Sequence, residues 1–559
     1  MIKELQRTPK SGLPRPPRLA GGARLKGPGS RRPLAAYLVV ALTLYPSLAF
    51  AASVLLGGAG GAAEAWHELI LALKAPSTLA SLRFSLLQAA ISTILALIVG
   101  FPGAYFVAKY KFKARRFFLS LAAVPFCLPP ILVILSFILY YGKNGWFSAA
   151  LSTIGLVRGP GGFLYSFGGL VFIHAFYNFP IVIQNLGSVW SRMPASREEA
   201  ARTLGAGPFT AFLHGTLPYL MPALLQAASL IFLFCFFSFT IVLVFGGMSG
   251  STLEVGIYRA LRFTQDPAKA LALALLQTLT ALGAVWAFSH FDGRATQSKG
   301  FGVVPERKKP NLTAGIFIFL YTTTIVIFFL GPLASLVIEA FTVRSSMAGK
   351  AVFGLDNFKR LIVGTGSSAL GSPLLVALTQ SLLLSGTAAL FASLLGLIVA
   401  AGRPRAWISA LPLALSPAII SAGWGGAFRL RPEIIILIGQ TAIAWPFVAR
   451  SLEAAMHSLD KSKNEAARTL GASPRQALLR VDLPAMAPSV ASASAFSFSL
   501  TMGDANIPLI VGGSRETLPL LLYRLTSSYR FSEACAVGII LAAFTSIAFF
   551  LKEGRGEIS

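Results

Sequence analysis

Apolar stretches long enough to cross a bilayer recur along almost the whole chain, and no other feature limits its possible folds so severely. Inside lipid the backbone has no water to bond, so a spanning segment must be a helix of about 20 mostly apolar residues or a strand of a closed barrel. Stretches of this length predict helices, at about 34 to 57, 83 to 108, 117 to 141, 166 to 190, 218 to 245 and 268 to 290. After a polar linker, a second set follows at about 312 to 338, 374 to 402, 406 to 428, 434 to 456, 484 to 511 and 534 to 551. The composition agrees: hydrophobic residues are 55%, charged ones 12% and the mean hydropathy is +0.70, which excludes an ordinary soluble domain.

A net charge of +27 could suggest nucleic acid. The bias that keeps Lys and Arg in cytoplasmic loops explains it without a nucleic-acid partner. Residues 1 to 33 carry nine basic residues, from Lys3 to Arg32, against Glu4, and read as a disordered cytoplasmic tail that sets the first span's orientation. With that end inside, Lys109, Lys111, Lys113, Arg115 and Arg116 fall in a cytoplasmic loop, as do Arg403 and Arg405. Arg429 and Arg431 depart from the pattern and make the ninth span's boundary the loosest. The linker 291 to 311 and the tail 552 to 559 come out cytoplasmic. Cys127, Cys235 and Cys535 lie far apart in apolar segments and form neither a disulfide framework nor a metal motif.

The chain is also a repeat. Residues 196 to 208 read SREEAARTLGAGP and residues 462 to 474 read SKNEAARTLGASP, identical at ten of thirteen positions with an offset of 266. The register extends outward: Pro180 pairs with Pro446, Leu217-Pro218 with Leu483-Pro484, and Pro222 with Pro488. With a shift of one residue Thr252-Leu253 pairs with Thr517-Leu518 and Tyr258-Arg259 with Tyr523-Arg524, and at an offset of 296 Ser85 pairs with Ser381 and Gly100 with Gly396. An even number of spans separates the copies, so both face the same way. The predicted fold is an all-α membrane protein of about twelve transmembrane helices in two parallel six-helix repeats, residues 34 to 290 and 312 to 551.

Each repeated loop reads as two short helices. Ser196 with Glu199, and Ser462 with Glu465, have capping-box spacing and place a helix start at the serine. Gly205 and Gly471 should close that helix in the left-handed conformation, and Pro208 and Pro474 suit the first turn of the next. Ala200, Ala201 and Leu204, with Ala466, Ala467 and Leu470, give each helix a small flat apolar face suited to a groove on another protein. An interfacial helix lying on lipid is the plainer alternative. It does not explain why the same loop is built twice on one side.

Glu-Ala-Ala, a Gly six residues after the Glu, and Leu-Pro twelve to thirteen residues further on resemble the EAA loop of binding-protein-dependent ABC importer permeases. The resemblance implies a type I importer permease fold in a bacterial inner membrane, with both termini cytoplasmic. It implies that Glu199, Ala200, Ala201 and Gly205, and likewise Glu465, Ala466, Ala467 and Gly471, form coupling helices docking on two ABC ATP-binding subunits. It further implies an extracytoplasmic substrate-binding protein. Beyond the loops, the segments Tyr141 to Trp146, His174 to Pro180 and Thr517 to Tyr523 are similar to the fused permeases of thiamine importers; those of ferric-iron importers are the neighbouring possibility.

No stretch supplies the G-x-x-x-x-G-K-[ST] loop that holds nucleotide phosphates, so ATP hydrolysis is expected on separate subunits and the chain itself is read as no enzyme, without cofactor. Asp504 is the acid placed well within a span. It sits beside Gly503 and Asn506 and before Pro508, where an irregular helix would line a cavity, and its repeat mate is Ser238. Capping of the broken segment is its alternative role. His174 and Asn178 lie one turn apart on the fourth span, as candidates for the substrate path or as polar glue between helices. Trp66, Trp146, Tyr258 and Tyr523 with Arg259 and Arg524 are candidates for meeting a binding protein outside. An ion-coupled secondary transporter also has two parallel halves, but leaves the duplicated loops without a purpose.

Overall fold

The computed structural model describes residues 32–556 except 57–60, 114, 116–117, 120–127, 144, 154–162, 195, 247–249, 298–306, 345–350, 364–372, 403–410, 429, 460 and 513–515. The basic tail up to residue 31, the middle of the linker, Cys127, Arg403, Arg405 and Arg429 therefore lie outside the described residues. Within them the chain is an all-α membrane protein, with strands confined to a hairpin, Thr342–Arg344 against Ala351–Phe353.

Eight helices among the described residues are long and apolar enough to span, and they coincide with eight predicted spans: Leu34–Leu56, Pro76–Lys109, Phe167–Ser191, Pro208–Phe236, Pro267–Ala287, Leu312–Ala340, Pro373–Gly402 and Pro432–Met456. The other four predicted spans are described in part or in pieces. The third and ninth contain Pro130–Tyr141 and Pro417–Phe428, each opened by a proline at the first helical position, where its missing N–H costs nothing. The eleventh is divided into Ala487–Met502 and Asn506–Val511, and the twelfth lies in Phe531–Gly556. The fifth, expected as one helix to residue 245, also breaks, after Phe236, and resumes as Thr240–Phe245. The two breaks are the same break: 237–239 and 503–505 are related by the offset of 266.

The repeat register recurs in side-chain contacts. Leu253 N–H donates to Ser85 Oγ at 2.9 Å, and its mate Leu518 N–H donates to Ser381 Oγ at 2.7 Å. A Cβ on Gly100 would lie 2.6 Å from the Phe179 carbonyl oxygen and from Val182 Cβ; one on Gly396 would lie 2.7 Å from Val448 Cγ1. In both halves the second span thus meets the fourth with no room for a side chain, the close approach that drives helix association in lipid. Gly100→Val and Gly396→Val are each expected to destabilise the folded protein by about 1–3 kcal/mol or more, because backbone must move. Thermal unfolding in detergent reads the loss; melting unchanged from the parent would contradict this packing.

Each half lends its first span to the other. Trp445 Nε1 donates to Thr43 Oγ1 at 3.1 Å, and the Pro46 backbone closes on Gly423, so the first span lies on the second half. Reciprocally, Tyr321 Oη donates to the Val99 carbonyl at 2.9 Å and Gly331 sits against the Tyr140 ring, so the seventh span lies on the first half. The exchange interlocks the halves.

Candidate coupling loops and central cavity

The first loop helix runs Ser196–Thr203, and the second runs Lys461–Thr469, starting one residue before the expected Ser462. Ser462 therefore falls inside the first turn rather than at the cap. Both helices end as the glycines require. Gly205 has φ +84° and Gly471 +89°, a region costly for any residue with a Cβ. Ala206 N–H reaches back to the Ala201 carbonyl at 3.1 Å and Gly205 N–H to Arg202 at 3.0 Å; Ala472 and Gly471 repeat these bonds to Ala467 and Arg468 at 3.0 and 3.1 Å. This is the paired closure of a Schellman motif, in duplicate.

The next helix opens on Pro208 and on Pro474, then in both copies passes through a wider turn, Phe212–Thr216 and Leu478–Asp482, before Leu-Pro. Pro218 and Pro484 have no N–H to give and crowd the carbonyl four residues back, so an i→i+5 turn relieves both defects. The glycine turn leaves Leu204 and Leu470 each 89% exposed. Glu199, Ala200, Glu465 and Ala466 are exposed too, whereas Ala201 and Ala467 are half-buried. Leucine standing in solvent at the tip of a tightly closed turn contributes almost nothing to the fold. The two loops differ in their bracing: Asn464 Nδ2 donates to Asp482 Oδ2 at 2.7 Å, and the first copy has Glu198 and Thr216 at those positions.

At the other end of the fifth and eleventh spans the two breaks face each other across a cavity of about 270 Å³. His174, Asn178 and Asp504 all line it, so the structure brings together the three residues that the sequence offered separately. His174 Nε2 is 2.8 Å from Ser238 Oγ, and Asn178 Nδ2 donates to the His174 carbonyl at 2.8 Å. Asp504 does both things considered for it: Oδ1 accepts the Asn506 N–H at 3.0 Å and so caps the resumed helix, while Oδ2 is buried without a partner. Thr240 and Asn506, mates in the repeat, bond to each other across the halves, Thr240 Oγ1 to Asn506 Oδ1 at 2.6 Å.

Two residues escaped the sequence reading. Gln440 is the mate of His174 at the offset of 266; it lines the cavity and donates from Nε2 to the Thr501 carbonyl at 3.1 Å. Carrying the register through the fourth span would have found it. Glu254 is buried in the short helix Leu253–Arg259, a segment with no spanning pattern, so the sequence carried no signal for it. Its Oε2 accepts from Gln277 Nε2 at 2.6 Å and its Oε1 from Ser416 Oγ at 3.0 Å and Ala418 N at 3.3 Å. The carboxylate thus ties the first half to the segment 412–417 of the second, which forms one wall of the cavity. The outer aromatic candidates fare differently: Trp66 and Trp146 are about half exposed, but Tyr258 packs edge-on against Phe239 and it and Tyr523 are half-buried.

The chain has counterparts among known proteins. The sequence pattern of the binding-protein-dependent transport system inner membrane component matches twice, over residues 100–297 and 303–553. The thiamine transport system permease protein ThiP of Brucella abortus strain 2308 is 30% identical over 486 residues, which cover 82% of this chain and 84% of that protein. ThiP of Escherichia coli K12 is 26% identical, covering 84% of this chain and 88% of its own. Sulfate permease 2 of the Chlamydomonas reinhardtii chloroplast is 30% identical over 213 residues, 38% of this chain and 56% of that one. Two family matches in tandem, each holding one copy of the loop, one break and one wall of the cavity, make this chain a fused, two-repeat member of the binding-protein-dependent transport system inner membrane component family.

Proposed function

We propose that this chain is the translocation subunit of an ATP-driven importer whose cargo is a small organic cation of the thiamine class. Its ATP would be hydrolysed by two ATP-binding subunits seated on the cytoplasmic loops around Glu199–Gly205 and Glu465–Gly471, and its cargo delivered from the other side by a soluble binding protein. Both termini would then be cytoplasmic, in a bacterial inner membrane. The observation that carries this reading is that each loop is followed in the chain by the helix that lines one wall of the cavity. Residues 208–236 run from the first loop to Leu230, Leu233 and Phe234 in the cavity wall, so a push at Leu204 is delivered at the break. In the second half the course from Pro474 is interrupted by a turn at Met486, and residues 487–502 then reach Ser499, Leu500 and Thr501 in the cavity wall. Two subunits that close on ATP would draw the loops together and rock the interlocked halves about the cavity.

The cavity's chemistry supports the cargo. Asp504 Oδ2, Gln440 Oε1 and Asn178 Oδ1 are buried acceptors without partners, the Nδ1 of His174 also has none, and the surrounding wall includes Phe234, Phe237, Phe447 and Tyr177. A flat cation with N–H donors gives the carboxylate its counter-charge and lays its ring on the aromatic faces. Ferric iron, the second reading, needs several oxygen ligands converging on one point, and this wall offers a single carboxylate. Proteoliposomes holding the chain with its ATPase and binding protein should accumulate labelled thiamine only with ATP. Uptake competed by ferric ion rather than by thiamine would overturn the cargo, and uptake driven by an ion gradient without ATP would overturn the class.

A further inference from the structure

Two parallel repeats are related by an axis along the membrane normal, and the distance from a residue to its own mate then measures how far it lies from that axis. Residues that touch their mates therefore mark the axis itself. The cavity straddles it: Leu233 and Ser499, Phe237 and Gly503, and Ser238 and Asp504 are mates at the offset of 266, and all six line the wall. At one end of the cavity two mates meet. Thr240 Oγ1 donates to Asn506 Oδ1 at 2.6 Å, and these are the first residues of the resumed helices Thr240–Phe245 and Asn506–Val511. Both line the cavity as well.

The meeting point lies on the side away from the loops. In each half the chain leaves its loop, follows the cavity wall, breaks, and only then reaches Thr240 or Asn506. Beside this point stands a second pair of mates. Tyr258 packs edge-on against Phe239, with ring centroids 5.1 Å apart, and burial, and then the neighbouring Tyr523 hydroxyl, hold the Tyr258 phenol above the ordinary tyrosine range. Packing alone does not call for a polar bond here. Small apolar side chains would join two helices in lipid without the cost of burying a hydroxyl and an amide, yet Thr240 is buried.

We propose that Thr240 and Asn506 are the gate of the translocation path: their bond closes the axis on the side of the cavity away from the loops and, on the importer reading above, cargo enters only when it parts. A neutral hydrogen bond shifts an equilibrium by only about two- to tenfold, weak enough to open once in every cycle. Asp504 Oδ1 accepts the Asn506 N–H at 3.0 Å and caps the helix that Asn506 begins. The carboxylate that would meet the cargo's charge thus holds one leaf of the gate.

Labelling of a cavity cysteine tests this without any transport assay. Ser238→Cys, in a chain with Cys127, Cys235 and Cys535 replaced by alanine, is probed in sealed membrane vesicles with a membrane-impermeant maleimide applied on the side away from the loops. T240V keeps the volume but removes the donor, and should speed labelling about three- to tenfold. T240S keeps the hydroxyl and should stay as slow as the parent. N506L removes the acceptor, should match T240V, and serves wherever T240V fails to insert. T43V breaks another bond between the halves, the one from Trp445 Nε1, which joins residues that are not mates, and should leave labelling unchanged. L204C in the same background reports which side the loops face, so loops on the outer side would overturn the importer's orientation while the gate is still read from the opposite face. Labelling in T240V and N506L no faster than in the parent, or T43V as fast as T240V, would overturn the gate.

Discussion

Replacing both Leu204 and Leu470 with aspartate is expected to abolish ATP-driven uptake while leaving the protein inserted and as stable as before. The two leucines are each 89% exposed, so the folded chain gains almost nothing from them, and surface changes of this kind shift stability by no more than about 0.5 kcal/mol. A leucine fully buried in a partner's groove is worth about 1.5–3 kcal/mol. Losing two, and placing a carboxylate in each groove, costs the assembly at least about 3–6 kcal/mol, a hundredfold or more in affinity. The single variants should differ from one another. The second loop is braced by Asn464 against Asp482, whereas the matching positions of the first loop hold Glu198 and Thr216. Uptake per inserted molecule, with ATPase capture on affinity resin, reads both effects. Full uptake by the double variant would mean that these tips do not dock.

Asp504→Asn is expected to lower uptake by about ten- to a hundredfold without unfolding the break. Asparagine keeps an oxygen for the Asn506 N–H, so the cap of Asn506–Val511 survives, and what disappears is the charge on a buried, unpartnered carboxylate of a cavity-lining residue. A hydrogen bond to a charged group is worth about 1.5–3 kcal/mol, which sets the size of the loss. Asp504→Ala removes the cap as well and should lower the melting temperature in addition. Labelled-cargo uptake and melting, measured on both variants, separate the two oxygens' roles. Normal uptake by Asp504→Asn would leave Asp504 as a cap and nothing more.

Where a single period or a single motif governed local structure, the sequence was sufficient. Helices about 20 residues long were visible because lipid admits no other way to pair their backbone. The Schellman closures at Gly205 and Gly471 were visible because glycine tolerates their backbone angles. The ten identities between the loops revealed the repeat, and the pairing of Ser85 with Ser381 and of Gly100 with Gly396 matches equivalent bonds and tight approaches in the two halves, although the contacts themselves were not legible in the sequence. The wider turns before Pro218 and Pro484 were not anticipated, since the missing N–H was read only as a helix start. Nor was the break at 237–239: Phe237, Ser238 and Phe239 are apolar or small and read as uninterrupted helix, whereas Gly503 and Asp504 announced the mate. Glu254 was hidden because its partners come from residues 23 and more than 160 positions away, a pairing that only tertiary structure creates. The exchange of first spans, Trp445 with Thr43 at a separation of 402, is equally non-local.

The account stands on two matched helices passing force from nucleotide-binding partners to the cavity. Ala200 and Ala466 are exposed on those helices, one turn before the leucine tips. Ala200→Cys and Ala466→Cys, joined by a short bismaleimide in membranes containing the assembled transporter, should each capture one ATP-binding subunit and react only from the cytoplasmic side. Capture of no such subunit at either position, or labelling solely from the outer side, would contradict it.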